Sequence, residues 1–216
     1  MEELQENLIN ITLGGSRGKN IGIDGWSDYD IYIIVNKISL EVLNKLNEKL
    51  KNTIDIHVGI TVYTKKEVEN KLVDDKTKVM IYEHIKYKKN PVLFGEDIWF
   101  PITLEEIKKI DVIIAAQTLH TLKRELSIEQ FEKKKALKKM TLLIKCLLRK
   151  NDIYAFGYID GYEKFCSICE KKGIIIDDIK QFKVINYIKD INFNKIEQFK
   201  IMEKYFDFIL DNIDVF

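Results

Sequence analysis

A glycine-rich turn followed at short range by an Asp-x-Asp motif is the feature that most limits how this chain can fold. Residues 8–13 alternate as a strand does and run directly into a Gly-Gly-Ser-Arg-Gly motif at residues 14–18. Two adjacent glycines permit a positive φ and a close approach of the backbone to a ligand. The motif Ser-Asp-Tyr-Asp at residues 27–30 then leads into a β-branched strand pattern at residues 31–35. Both motifs are therefore expected on consecutive elements of one small unit.

The turn has the composition of an anion-binding site. Ser16 and Arg17 stand where a helix would begin, and backbone N–H groups at a helix start favour an anion. The Ser16 hydroxyl adds a donor, and Arg17 adds a forked guanidinium suited to phosphate oxygens. An ordinary glycine-rich turn is the alternative, and the turn alone does not decide between the two. A Walker A loop is excluded, because that motif needs a Ser or Thr after its Lys and an Asn follows Lys19.

The Asp-x-Asp motif has the composition of a metal site. Asp28 and Asp30 begin the predicted strand, and side chains alternate along a strand, so the two carboxylates are expected to point the same way. Two like charges so near each other are unfavourable unless a cation lies between them. Mg²⁺ prefers one or two carboxylates completed by substrate phosphate oxygens and water. A solvated strand end is the alternative, and the upstream Gly-Ser turn favours the metal site.

A third carboxylate, Asp55, lies in another strand pattern at residues 53–63. If that strand lies beside the strand of Asp28 and Asp30, the three acids can meet. The third acid could then bind a second metal ion or take the proton from an attacking hydroxyl. Asp is depleted in strands, which favours this role over an exposed strand position. His57, on the same face, is expected to be a partly exposed side chain rather than a ligand.

Taken together, these three segments resemble the polymerase-β-type nucleotidyltransferase superfamily, whose pattern is Gly-Ser, then Asp-x-Asp, then a third acid on a later strand. The resemblance is clear over residues 1–65 and extends to Trp99, with a further familiar segment at residues 93–97. Within the superfamily, the chain is most similar to small stand-alone bacterial transferases, including the aminoglycoside and lincosamide nucleotidyltransferases. The connection at residues 19–26 is longer than the family pattern and could alter the mouth of the site.

The resemblance implies roles for individual residues, together with a cofactor and a reaction. Asp28, Asp30 and Asp55 would be the catalytic residues. The first two would hold Mg²⁺, with two ions expected, and the third would be a metal ligand, a general base or both. A nucleoside monophosphate, with AMP favoured, would pass from ATP or another nucleoside triphosphate to an acceptor hydroxyl, and pyrophosphate would leave. The residues expected to bind the nucleotide are Gly15, Ser16, Arg17 and Ser27.

The acceptor is not determined by these motifs. A small molecule such as an aminoglycoside or another antibiotic is favoured, because the formal net charge of +1 does not indicate a nucleic-acid partner or a membrane surface. A toxin-like or regulatory transferase acting on tRNA or protein is the second alternative, and the basic stretch at residues 133–150 favours RNA slightly. A non-catalytic nucleotide-binding module is the third. The carboxylates that could line a pocket for a polycation are Asp111, Glu125 and Asp160.

The remaining pattern predicts an α+β chain with two domains. Residues 1–99 alternate strand and helix patterns and would form a small mixed-sheet nucleotidyltransferase domain with flanking helices. Residues 100–216 turn helical, with a capping box at Thr103 and Glu106, and would form a bundle that binds the acceptor. The predicted helical segments of this bundle are 104–127, 128–150, 159–172, 177–189 and 195–213.

Cysteine usage and hydropathy indicate a reducing, cytoplasmic location. No apolar run is long enough to span a membrane, and the first residues lack the regions of a signal peptide. Cys146, Cys166 and Cys169 fit apolar helical faces, so core packing is favoured over a redox or zinc pair. The basic residues at 133–150 are expected to form the solvated face of an amphipathic helix. The sequence leaves the oligomeric state open.

Overall fold

The computed structural model describes residues 7–24, 27–51, 58–127 and 133–174. The chain is α+β, as predicted, and it divides into two compact units, Met1–Ile107 and Lys108–Phe216. This division falls a few residues beyond the domain boundary that the sequence predicts at residue 100, which stays a prediction. The predicted helices at 177–189 and 195–213 lie outside the described residues.

Four strands form one mixed sheet in the first unit, in the order β3-β2-β1-β4. β1 is antiparallel to both β2 and β4, whereas β2 and β3 are parallel. A parallel pair needs a crossover connection, and the helix between β2 and β3 in the chain supplies it. The strands are β1 (Leu8–Gly14), β2 (Tyr29–Val35), β3 (Val58–Thr64) and β4 (Val92–Gly95).

Two helices of the first unit begin at side-chain caps. Thr64 and Glu67 form a reciprocal capping box, and Asp74 accepts hydrogen bonds from two backbone N–H groups. The helix that Thr64 caps ends at Glu69, and Lys71 beyond it has a positive φ of 58°, which a helix does not allow. The helices are α1 (Gly15–Gly18), α2 (Leu40–Lys51), α3 (Lys65–Glu69) and α4 (Asp75–Tyr87).

The core of the first unit joins the sheet to α3 and α4. Ile34 from β2, Val68 from α3 and Ile81 from α4 are fully buried in one apolar cluster. Ile33 and Val35, the neighbours of Ile34, are buried as well, as expected of a central strand covered on both faces. This burial fixes β2, and with it the residues at the start of the strand.

β1 buries polar side chains between its apolar ones. Asn10 and Thr12 are fully buried, and the Thr12 hydroxyl donates to Asn10 Oδ1 at 2.7 Å. Trp99 Nε1 donates to the Thr12 hydroxyl oxygen at 2.9 Å, and Asn10 Nδ2 donates to the Glu96 carbonyl at 2.7 Å. Because each of these buried polar groups is hydrogen-bonded, they keep β1 in register and do not destabilise it.

The second unit is helical where it is described. The predicted capping box at Thr103 and Glu106 is present, and the predicted segment 104–127 is one continuous helix. Gly173 has a positive φ of 69° just after the last described helix, a conformation that commonly ends a helix. The helices are α5 (Leu104–Ser127), α6 (Lys133–Lys150) and α7 (Gly157–Lys171). Within the described ranges, every helix is too short or too polar to cross a bilayer.

A buried ion pair lies in the core of this unit. Arg149 donates from Nε and Nη2 to the two carboxylate oxygens of Asp111, at 2.7 and 2.5 Å. The sequence places Arg149 on a solvated face, and this prediction is wrong, because its side chain is 2% exposed. Cys146, which contacts Asp111, and Cys169 are buried as predicted.

Candidate nucleotide-binding site

The glycine turn and the Asp-x-Asp motif meet at one end of the β1–β2 pair. In the antiparallel register, Gly14 at the end of β1 is the partner of Asp30, the second residue of β2. Ser16 and Arg17 follow directly in α1. The prediction that the two motifs lie together in one small unit is thus confirmed for these residues.

Gly15 is required by the position of the Asp30 carboxylate. Its φ of 64° lies in the region that residues with side chains rarely adopt. A Cβ atom on Gly15 would also lie 1.9 Å from Oδ2 of Asp30. A side chain at position 15 would therefore strain the turn and displace the carboxylate at the same time.

A second glycine borders the other oxygen of Asp30. Gly59 on β3 is the register partner of Asp30 across the parallel pair. A Cβ atom on Gly59 would lie 3.3 Å from Oδ1 of Asp30, closer than most real Cβ contacts. Glycine weakens a strand interior and often marks a close approach of another group. Both oxygens of Asp30 therefore border glycine backbone.

Asp28 directly precedes β2 and is half-buried, like Asp30. Because Asp28 lies one residue outside the strand, strict alternation does not govern its direction, and its alignment with Asp30 stays a prediction. Both acids make polar interactions within the chain. Asp55 and His57 lie outside the described residues, so the meeting of three acids also stays a prediction.

The donor set can be tested against Mg²⁺. Among the residues that the structure describes, no cluster of three or more His, Cys, Asp or Glu side chains is arranged for a metal ion. Asp28 and Asp30 are both partly accessible. Two aligned carboxylates would suit Mg²⁺, which takes its remaining ligands from substrate phosphate oxygens and water.

Arg17 lies against the loop that follows the turn. Its Nη1 is 2.8 Å from Oδ1 of Asp24, and its guanidinium lies 5.3 Å from the ring centroid of Tyr29. Gly22 makes room for it, since a Cβ atom there would lie 2.4 Å from Cδ of Arg17. Its Nε is buried and lacks a hydrogen-bond partner among the described residues. The guanidinium therefore has donor capacity that these contacts do not use.

Ser27 is buried in a local turn. Its Oγ accepts a hydrogen bond from the N–H of Ile23 at 2.8 Å, and its own N–H donates to the Ile23 carbonyl at 2.8 Å. The residue is 8% exposed. Its predicted contact with a nucleotide stays a prediction.

Tyr32 is a residue of this site that sequence reasoning missed. It lies two residues after Asp30 on β2, so both side chains stand on the same face. Its ring lies over Gly14, where a Cβ atom would come within 2.3 Å of Cε2, and it meets Trp99 edge-on with centroids 6.4 Å apart. Burial, with the nearby Asp30 carboxylate, raises the pKa of the Tyr32 phenol. Alternation counted from Asp30 could have found it.

Comparison with known proteins shows which fold this is. No family model matches the sequence, and no curated protein matches it significantly. Among solved structures, the chain is similar to the spectinomycin adenyltransferase AAD(9) from Enterococcus faecialis, whose structure holds ATP and spectinomycin. The TM-score is 0.66 at 11% identity, covering 97% of this chain and 94% of that chain.

A second solved structure, a nucleotidyltransferase-like protein from Exiguobacterium sibiricum, aligns over 98% of this chain and 72% of that chain. Its TM-score of 0.35 at 7% identity is too low to carry an argument. The similarity to the AAD(9) structure is sufficient to identify the fold. The chain has the α+β fold of a bacterial nucleotidyltransferase, and the expected resemblance is confirmed at that level.

Proposed function

We propose that this protein is a nucleotidyltransferase. It transfers a nucleoside monophosphate, with AMP favoured, from a nucleoside triphosphate to the hydroxyl of a small-molecule acceptor, and it releases pyrophosphate. The observation that carries the proposal is the packing of the Asp30 carboxylate against Gly15. Asp30, the acid proposed to bind metal, lies beside the turn proposed to take the polyphosphate, and the reaction needs both in one place.

The turn would bind the triphosphate. Gly15 and Ser16 would offer backbone N–H groups, and the Ser16 hydroxyl would add a donor. Arg17 would add its guanidinium to a phosphate. Its present partner Asp24 is 97% exposed, and an exposed ion pair contributes little free energy, so Arg17 can exchange Asp24 for a phosphate at low cost.

The acids would act at the transferred phosphate. Asp28 and Asp30 would hold Mg²⁺, with two ions in the proposed form, and the ions would neutralise charge on the α-phosphate and on the leaving pyrophosphate. The acceptor oxygen would form a bond to the α-phosphorus as the bond to the β-phosphate oxygen breaks. Asp55 would take the hydroxyl proton or serve as a further metal ligand. The chain's contribution is positioning and preorganised charge.

A small-molecule acceptor is supported by two observations. The formal net charge of +1 offers little attraction for a polyanion such as tRNA, and the similar AAD(9) structure holds spectinomycin. Asp111 does not suit a pocket for a polycation, because both of its oxygens accept from Arg149 in the interior of the helical unit. Asp160 is more accessible, with a side chain that is 39% exposed. Its oxygens accept from the Phe156 N–H and from Lys164 Nζ, so a polycation would have to displace Lys164.

A transfer assay tests this proposal. The protein is incubated with Mg²⁺ and each α-labelled nucleoside triphosphate, together with aminoglycosides, lincosamides, spectinomycin, total tRNA or cell lysate. We expect label on a small molecule with release of pyrophosphate. Asp28→Asn and Asp30→Asn should each lower the rate by about 100-fold or more, because the phosphate charge is then poorly neutralised. Asp75→Asn, at an exposed carboxylate that pairs with Lys78, is the matched control and should keep the rate.

The alternatives give different results in the same assay. Label on tRNA or on a protein would contradict the small-molecule acceptor and leave the transferase standing. Nucleotide binding by calorimetry without any release of pyrophosphate would identify a non-catalytic binding module. Full activity in Asp30→Asn would exclude the proposed site.

A further inference from the structure

The glycine turn is held at both ends by residues that follow α4. The N–H of Asn90 donates to the carbonyl of Gly18 at 2.9 Å, and the N–H of Leu13 donates to the carbonyl of Pro91 at 3.0 Å. A Cβ atom on Gly18 would lie 2.2 Å from the Leu13 carbonyl oxygen and 2.9 Å from Oδ1 of Asn90. Only glycine permits this approach, so the turn and the segment after α4 form one closely packed unit.

A buried ion pair completes the hold on the turn. Nζ of Lys19, the residue after the turn, lies 2.9 Å from Oε2 of Glu83 on α4, and the two side chains are 12% and 5% exposed. Asn90 Nδ2 donates to the same Glu83 oxygen at 3.3 Å and to the Met80 carbonyl at 3.2 Å. The contacts close a ring that runs from Gly18 through Lys19, Glu83 and Asn90 back to Gly18.

Because this ring of contacts is buried, it restrains the turn more strongly than a surface contact would. An exposed ion pair restrains its partners weakly, whereas breaking a buried pair leaves an uncompensated charge. Asn90 is fully buried and has a positive φ of 56°, which Asn adopts more readily than most residues. Rotation of the turn away from its present position would therefore expose or unpair several buried polar groups together.

We propose that Asn90 and the Lys19–Glu83 pair are positioning residues that keep the turn Gly15–Gly18 in its nucleotide-binding conformation. They act through the turn backbone and do not touch the nucleotide. The consequence for catalysis rests on the proposed function, whereas the hold on the turn is a property of the fold. Lys19 is a cation close to Ser16 in the sequence and could be a phosphate ligand. In this proposal Lys19 forms the ion pair with Glu83 instead.

Asn90→Gly tests the hold, because it removes the side chain and keeps the left-handed backbone. Asn20→Gly is the matched control, since Asn20 also has a positive φ, of 60°, and is exposed. We expect amide hydrogen exchange of Leu13 and Ile21, whose N–H groups donate to the Pro91 and Ser16 carbonyls, to be about tenfold faster in Asn90→Gly. The KM for the nucleotide should be about tenfold higher, with the acceptor KM unchanged. Asn20→Gly should match the wild type in all three. Unchanged exchange of the turn in Asn90→Gly would overturn the proposal.

The double variant Lys19→Met/Glu83→Gln tests the assignment of Lys19. It removes both charges together, so neither is left buried and unpaired, and a glutamine can still accept from Asn90. We expect the exchange of the turn to become about threefold or more faster and the nucleotide KM to rise with it, because the pair no longer ties Lys19 to α4. If Lys19 binds phosphate directly, the nucleotide KM will rise about tenfold or more with exchange unchanged, which would overturn the assignment. If the wild-type protein neither binds nor turns over nucleotide, the proposed function is refuted. The exchange measurement still tests whether Asn90 and the Lys19–Glu83 pair hold the turn in place.

Discussion

The carboxylate of Asp30 and the backbone of Gly15 are so close that a methyl group at position 15 would lie 1.9 Å from Oδ2. The site therefore requires glycine at position 15 as much as it requires the Asp30 carboxylate. Gly15 also has a positive φ of 64°, so two separate demands, one conformational and one steric, fall on one residue.

These two demands can be separated with a matched pair of glycines. Gly173 has a φ of 69°, but no atom of the described residues lies within 4 Å of its would-be Cβ atom. Gly173→Ala should cost about 1–2 kcal/mol of unfolding free energy in urea, from backbone strain alone, and should keep the transfer rate. Gly15→Ala should show that strain and also lose the transfer rate by about 100-fold or more, because Asp30 is displaced. Equal transfer rates in the two variants would contradict the steric role of Gly15.

The buried pair in the helical unit should dominate the stability of that unit. Asp111→Ala leaves the Arg149 guanidinium, 2% exposed, without its carboxylate, and we expect a loss of about 3–5 kcal/mol. Asp152→Asn removes an exposed ion pair with Lys108 and should change stability by less than about 0.5 kcal/mol. Urea unfolding followed by circular dichroism measures both. A small effect in Asp111→Ala would mean that the pair is not structurally required.

Asp74, at the start of α4, should link stability to acid pH. Burial acts to raise the pKa of its carboxyl, but hydrogen bonds from Tyr63 and Thr77 outweigh it and hold the pKa below its usual 3.8. A carboxyl with a lowered folded-state pKa stabilises the fold above its unfolded pKa, and this contribution is lost as the pH falls through the folded-state value. Asp74→Asn keeps a capping side chain, so its stability difference from wild type should be constant near neutral pH and shrink below about pH 4. A difference that does not change with pH would contradict this prediction.

The three thiols should differ in reactivity. Cys146 and Cys169 are buried, and burial raises the pKa of each thiol to about 12. Cys166 is half-buried. Because the thiolate is the reactive form, iodoacetamide at mildly alkaline pH should label Cys166 first and the other two about 100-fold more slowly. Peptide mass spectrometry reads out each site, and labelling in urea, where all three should react alike, is the control. Fast labelling of Cys146 in the native protein would show that its helix packs more loosely than described.

Features that depend on a few neighbouring residues could be predicted from the sequence. The capping box of Thr103 and Glu106 and the helix-ending Gly173 follow from contacts and backbone angles within one turn. The meeting of the glycine turn with Asp30 could be predicted too, because strands that are consecutive in the chain usually lie side by side in a sheet. The role of Asp55 belongs to the sequence resemblance and stays a prediction.

Contacts between distant residues were decided by the tertiary structure. Arg149 has the type and spacing of its exposed basic neighbours, and only the approach of Asp111, 38 residues earlier, makes it a buried residue. Lys19 resembles a phosphate ligand in the sequence, yet it pairs with Glu83, 64 residues away. Periodicity shows which face of an element is apolar, but it does not show which element will pack against that face. The residue types of the site can therefore be predicted from the sequence. The distant residues that hold them in place are determined by how the helices and strands pack.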